Sequence, residues 1–320
     1  MLIYGHFLHA GEYADAFLLS ANHPRVQSLG LSTVASGQSM GHALNNPAGL
    51  SSGDRRYISI LYDQFSELSN NIQFEAIYPL YPNYKMGITI VHSSINDLFV
   101  RPNLSSLTPG ARRDSVLSSS LSSGQTIEYR EDALFLSLAR EYNFEINLGW
   151  KFFKIPVRLP VGASLKYLDK VLVDNRGLGA GIDIGMQFLF SLREMKRMMD
   201  NTEFGIGVFL SDILNTPVYW TTEHQDAIKR GLVIGYTITQ HFPRYSSDVT
   251  ISTARQDRYR DVRQYGLELN IKDQFFVRGG HDGFTPSFGL GIGLKKFIID
   301  YSFSQHELAN MQKIGINYHF

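Results

Sequence analysis

The segment Gly177-Leu178-Gly179-Ala180-Gly181-Ile182-Asp183-Ile184-Gly185-Met186-Gln187-Phe188-Leu189-Phe190 decides the fold. Leu178, Ala180, Ile182, Ile184, Met186, Phe188 and Phe190 share one face. Gly179, Gly181, Asp183, Gly185 and Gln187 share the other, and only Leu189 breaks the alternation. Successive side chains of a strand point to opposite faces, so this period of two predicts a strand with one apolar and one polar or glycine face. The pattern returns along the chain. Phe288, Leu290, Ile292 and Leu294 stand opposite Gly289, Gly291 and Gly293. Tyr265, Leu267, Leu269 and Ile271 stand opposite Gly266, Glu268, Asn270 and Lys272. Phe297, Ile299, Tyr301 and Phe303 stand opposite Asp300, Ser302 and Ser304.

A soluble sandwich also alternates, but two features favour a membrane barrel. Many segments approach the roughly 9–11 residues that a tilted strand needs to cross a bilayer. The polar face carries charges at mid-strand (Asp183, Glu268 and Asp300), which suit a wet lumen better than a dry core. The expected strands are 55–64, 71–80, 84–92, 126–139, 143–152, 157–168, 176–190, 202–210, 230–240, 247–255, 262–271, 274–280, 286–295, 297–304 and 310–320. Fifteen is odd, whereas single-chain bacterial barrels have even counts, short periplasmic turns and long outer loops. If 143–152 and 157–168 form one strand, the count is fourteen and both termini are periplasmic. The two longest connections, 93–125 and 211–228, then both lie outside.

Composition narrows the function. The chain has 320 residues, with Lys+Arg and Asp+Glu both at 30, so it lacks the basic surface of a general nucleic-acid binder. It has no cysteine, which excludes disulfides, thiolate metal sites and cysteine nucleophiles. Mean hydropathy is −0.13, and no stretch approaches the roughly 18 apolar residues of a spanning helix. A barrel remains compatible, because every second strand residue faces the lumen. Residues 1–10 are apolar and end in Ala10 before Gly11, as in the remnant of a secretory signal.

The chain is read as a barrel without catalytic activity, cofactor or metal site. His281-Asp282-Gly283-Phe284 reads as a hairpin turn, and His241 has no ligand-spaced partner. His319 alternates onto the lumen face of the last strand. The Ser-rich stretch 93–125 reads as a solvated loop. The mixed-charge run from Arg255 to Arg263 reads as a solvated outer turn, with contacts to lipopolysaccharide phosphates or a protein partner as its alternative. Leu192 to Met199 reads as a capping turn or as a short amphipathic helix presenting Met195, Met198 and Met199. Tyr57, Tyr62, Tyr78, Trp150, Tyr167 and Tyr318 lie at strand ends, where aromatic girdles form.

Both ends of the chain are informative. Ile314, Ile316, Tyr318 and Phe320 share a face at the C-terminus. They resemble the assembly signal of outer-membrane barrels, whose last strand must close on the first because lipid tolerates no unpaired edge. Near the other end, Asn45-Asn46-Pro47-Ala48-Gly49-Leu50 is turn chemistry before the first strand.

Three N-terminal stretches, Ala14 to Leu19, Arg25 to Gly30 and Asn46 to Leu50, resemble the start of the FadL-like outer-membrane proteins, nearest to their PorV/PorQ branch. The run Phe297 to Ser304, with His306, Leu308, Asn310 and Ile314, is similar to that branch's closing hairpin. One departure is Gly30-Leu31-Ser32-Thr33, where the family has a glycine-rich run. The resemblance implies an all-β, up-and-down transmembrane barrel in the outer membrane of a Gram-negative bacterium. Residues 11–54 would be a hatch inside the lumen carrying the motif Asn46, Pro47, Ala48, Gly49 and Leu50, and residues 55–320 the barrel. It implies an accessory role in protein secretion or surface anchoring of type IX kind, with secretion-system proteins or cargo on loops 93–125 and 211–228. Outer-membrane lipids and lipopolysaccharide would be further partners. The alternative is a passive channel for long-chain fatty acids or other hydrophobic small molecules.

Overall fold

The computed structural model describes residues 14–37, 40–52, 56–65, 69–81, 83–99, 106–119, 126–147, 149, 154–191, 201–258, 260–305 and 310–320. Its sixteen strands are β1 Tyr57–Phe65, β2 Ser69–Tyr81, β3 Tyr84–Phe99, β4 Thr126–Asn147, β5 Lys154–Leu172, β6 Asn175–Ser191, β7 Thr202–Ser211, β8 Thr216–Trp220, β9 Gln225–Ile228, β10 Gly231–Phe242, β11 Ser247–Gln256, β12 Val262–Ile271, β13 Phe275–His281, β14 Pro286–Leu294, β15 Phe297–Ser304 and β16 Met311–His319. All pairings are antiparallel between neighbours. β1 pairs with both β2 and β16, and β5 with both β4 and β6, so the sheet closes on itself. β8 and β9 form a hairpin laid on the outer end of β6, with Trp220 opposite Gly177, and stand outside the ring. The ring is therefore a closed barrel of fourteen strands.

The barrel is inside-out relative to a soluble protein. Outward side chains such as Ile60, Ile72, Leu136, Leu165, Ile251, Leu267, Leu290 and Ile316 are exposed. Inward ones such as Ser59, Asp63, Gln73, Glu75, Lys166, Asp183, Glu268, Arg278, Asp300 and Lys313 are buried. Water would drive apolar residues the other way, so this exterior suits a hydrocarbon solvent. Among the described residues no helix is long and apolar enough to cross a membrane.

Fourteen is the expected count, reached by a different merger. The strands expected at 126–139 and 143–152 are one strand, β4, and 157–168 stands alone within β5. The apparent break at Arg140-Glu141-Tyr142 continues the ladder, opposite Val161, Pro160 and Leu159. Arg140 is at home there because it lies 4.7 Å from the Tyr84 ring centroid and 4.5 Å from that of Tyr142.

The two long outer connections lie at the same end, opposite the termini, but neither is a featureless loop. β3 continues to Phe99, and Pro109–Ser119 forms a helix, exposed over 109–114, within the span expected to be loop at 93–125. The expected loop 211–228 carries the β8–β9 hairpin. The expected signal remnant, the Leu192 to Met199 segment, Trp150, His306 and Leu308 lie outside the described residues.

Candidate functional site

The lumen is occupied by the N-terminal segment. It folds into short pieces: α1 Ala16–Ser20, α2 Pro24–Ser28, a 3-10 turn Thr33–Ala35, α3 His42–Asn45 and a 3-10 turn Pro47–Ser51. None is long enough to be stable alone in water, so the barrel wall must hold them. Thr33–Ala35 packs on β6, β7, β10 and β11, Pro47–Ser51 on β3 to β6, and α2 on β13 to β16. Glu75 of β2 meets His42, Glu268 of β12 meets Arg25, and Tyr57 of β1 packs with Leu50. Every strand of the ring thus touches the hatch.

The expected motif has a defined job. Asn46 caps the 3-10 turn by accepting from the Ala48 amide at 3.0 Å, and its amide nitrogen donates to the Val34 carbonyl at 2.7 Å. Asn46 therefore ties together two pieces of hatch, which is more than a tight turn requires. Pro47, Ala48, Gly49 and Leu50 are all buried. The close approach depends on lumen-facing glycines. A Cβ on Gly162 would come within 2.5 Å of the Pro47 carbonyl, and one on Gly185 within 1.9 Å of the Asn46 side-chain oxygen.

Buried charges join the N-terminal segment to the wall. Arg25 donates both Nε and Nη2 to Glu268, at 2.9 and 2.8 Å. Glu268 also accepts from Arg278 at 2.6 Å, and Arg278 donates to Asp300 at 2.5 Å. Asn317 donates to Asp300 at 3.0 Å and faces His23 at 3.1 Å, so the chain of bonds returns to the hatch. The mid-strand charges expected to face open water instead face hatch and wall partners. Such partners are what make a buried charge tolerable. Elsewhere Lys313 donates to the Ser20 and Asn22 carbonyls, and Lys170 to that of Ala14. Arg258 joins Asp15 of the hatch to Asp212 at the outer end of β7.

Two sequence expectations are corrected here. Arg258 was expected in a solvated outer turn, yet it points inward and is largely buried by its pairs with Asp15 and Asp212. Tyr57 was expected in an aromatic girdle, yet it is buried in the lumen and donates to Glu75 at 2.6 Å. Tyr62, Tyr78 and Tyr167 do face outward and are exposed. Of the residues expected to form the C-terminal signal, Ile314, Ile316 and Phe320 are exposed on the outer face, and Tyr318 packs between Phe297 (tilted) and Phe320 (edge-on). β16 pairs along its whole length with β1, from Met311 opposite Phe65 to His319 opposite Tyr57.

Above the hatch, at the outer end, lies a cavity of about 690 Å³. α1 forms its floor through Phe17 and Leu19, with Ile95 and Val262 in the wall and Glu131 and Arg258 as charged groups. This volume falls within the usual range of small-molecule pockets, and its mixed lining suits an amphipathic occupant. Among the described residues no cluster of His, Asp or Glu could hold a metal ion.

No protein-family model and no curated protein matches this chain. Several solved structures are similar at low identity. The toluene transporter TodX of Pseudomonas putida is 10% identical, over 93% of this chain and 96% of that one, with a TM-score of 0.45. A FadL homologue of Pseudomonas aeruginosa is 9% identical, over 93% and 98%, with a TM-score of 0.45. The KdgM porin is 8% identical, over 82% and 99%, with a TM-score of 0.38.

Proposed function

We propose that this protein is a sealed outer-membrane barrel acting through its outer face, as an accessory of PorV/PorQ kind in protein secretion or surface anchoring. The supporting observation is the hatch: it touches every strand of the ring and is held by buried ion pairs and close glycine contacts. A resident gate has to move, and moving this one would take buried Arg25 from its carboxylate partner Glu268. Such a barrel works best as a rigid platform. Its outer end presents the helix Pro109–Ser119, exposed over 109–114, the turn before β8 with exposed Leu214, and the β8–β9 hairpin with exposed Tyr219. Exposed apolar side chains beside polar ones suit protein docking.

The test is purification in mild detergent from native outer membranes, with mass spectrometry of bound proteins. Stoichiometric partners are expected. Removing 106–119 and shortening 212–230 is expected to abolish their retention. Wild-type retention without both segments would sink the reading.

The cavity above α1 favours a second reading, a passive channel for hydrophobic small molecules. A lipid or detergent co-purifying in that cavity, with no protein partner, would move the assignment there.

A further inference from the structure

The run Arg255 to Arg263 divides at the barrel wall. Arg258 turns inward, whereas Arg255 and Arg263 stand directly opposite each other on the outward faces of β11 and β12. Both are exposed. Like charges placed directly opposite on neighbouring strands repel. One carboxylate, Asp261, offsets them, accepting from Arg255 through both oxygens at 2.7 Å. Asp257, which accepts from the Leu232 amide, adds a weaker pull on Arg255, and Asp282 accepts from the Phe284 and Thr285 amides. A third arginine, Arg260, has its guanidinium 5.8 Å from the Phe284 ring centroid. On β4 to β6, Arg130 pairs with Asp132 and Arg176 with Asp169, so the charges there balance.

The depth of the cluster identifies the ligand. Tyr265 lies two residues inward of Arg263 and opposite His281. At a rise of about 3.4 Å per residue, the arginine backbone sits about 7 Å beyond this tyrosine. Interfacial tyrosines mark the headgroup level of a bilayer. β12 has 10 residues, the length of a single tilted crossing, and Arg263 stands at its outer end. Below it, Ile251, Leu267 and Phe288 are exposed on the lipid face. A shallow cavity of about 330 Å³ opens between Arg260, Arg263, Tyr265, His281 and Phe284.

Guanidinium forks match phosphate oxygens two at a time, and a phosphate between two arginines turns their repulsion into attraction. We propose that Arg255, Arg260 and Arg263 bind the phosphorylated headgroup of an outer-leaflet glycolipid, whose acyl chains lie on the apolar wall beneath. A membrane-borne ligand fits because the site lies on the outside of the wall at headgroup depth, next to a surface that takes hydrocarbon.

The test uses delipidated protein in detergent, with thermal unfolding followed as diphosphoryl lipid A is added. Diphosphoryl lipid A is expected to raise Tm, and the same lipid with its phosphates removed is not. Arg263→Gln without lipid is expected to match or exceed wild-type Tm, because it relieves the repulsion, while binding diphosphoryl lipid A roughly tenfold more weakly. Arg263→Lys keeps the charge without the fork and should fall between. Arg176→Gln, on the balanced part of the rim, should keep the full shift. Equal shifts with both lipids, or undiminished binding by Arg255→Gln/Arg263→Gln, would overturn the site. A full shift with millimolar inorganic phosphate would overturn the lipid assignment.

Discussion

His23 carries more of the hatch than its size suggests. Its Nδ1 caps α2 by accepting from the Arg25 amide at 3.1 Å, and its Nε2 donates to Asn317 at 3.1 Å. One ring nitrogen accepts and the other donates, which only the neutral imidazole can do. Burial pushes its pKa below the usual 6.5, against smaller upward pulls from Asp300 and Glu75. The unfolded chain thus binds a proton that the folded one refuses, so stability is full above pH 6.5 and falls as pH drops through the lowered folded value. Thermal unfolding at pH about 7.5 and about 5 should show wild type losing Tm at the acid end. His23→Asn keeps a capping oxygen but does not titrate, so its loss should be smaller. An equal loss in both proteins would exclude His23 as the origin. Glu268 makes the opposite kind of test, because its charge must be present. Glu268→Gln leaves Arg25 and Arg278 facing a neutral amide and is expected to cost about 3–5 kcal/mol, read from denaturant unfolding of the folded barrel.

At the scale of elements, the strands were legible and the hatch contacts were not. Alternation is local, so a single segment such as Gly177 to Phe190 announces its two faces without reference to the rest of the chain. The false break at Arg140 to Tyr142 arose because charge reads as turn, whereas here it is carried on the ladder by flanking tyrosines. The partners of the hatch are distant in sequence: Arg25 and Glu268 are 243 residues apart, and His23 and Asn317 are 294. No periodicity reports such a pairing. The glycines were a signal left unused, since their recurrence on the lumen face marks where another backbone approaches. This suggests a paired experiment. Gly185→Val places a side chain on Asn46 and should push the Asn46–Leu50 segment off the wall, whereas Gly279→Val meets nothing within 4 Å. Limited proteolysis should cut the hatch of the first variant and leave the second like wild type. Equal protection of both would mean that the hatch does not need that contact.

For the whole molecule, the two ends of the barrel do different work. β4, β5 and β6, of 22, 19 and 17 residues, exceed what a crossing needs, extending past β7 at the outer end and, in β4 and β5, past β3 at the periplasmic end. β11 to β16 are 7 to 10 residues long and stop near the interface, so the outer cavity is open on its low side. The periplasmic side is bounded by short turns, such as Lys295-Lys296 between β14 and β15. A fourteen-stranded ring without its hatch is wide enough to hold water, so on the platform reading the hatch must block conduction. Wild-type protein in a planar bilayer is therefore expected to show no steady ion current. Glu268→Gln and Gly185→Val, which loosen different sides of the hatch, should each show intermittent openings, and a chain lacking residues 14–52 should conduct continuously. Steady current through wild type would mean that the seal leaks, and would favour the channel over the platform.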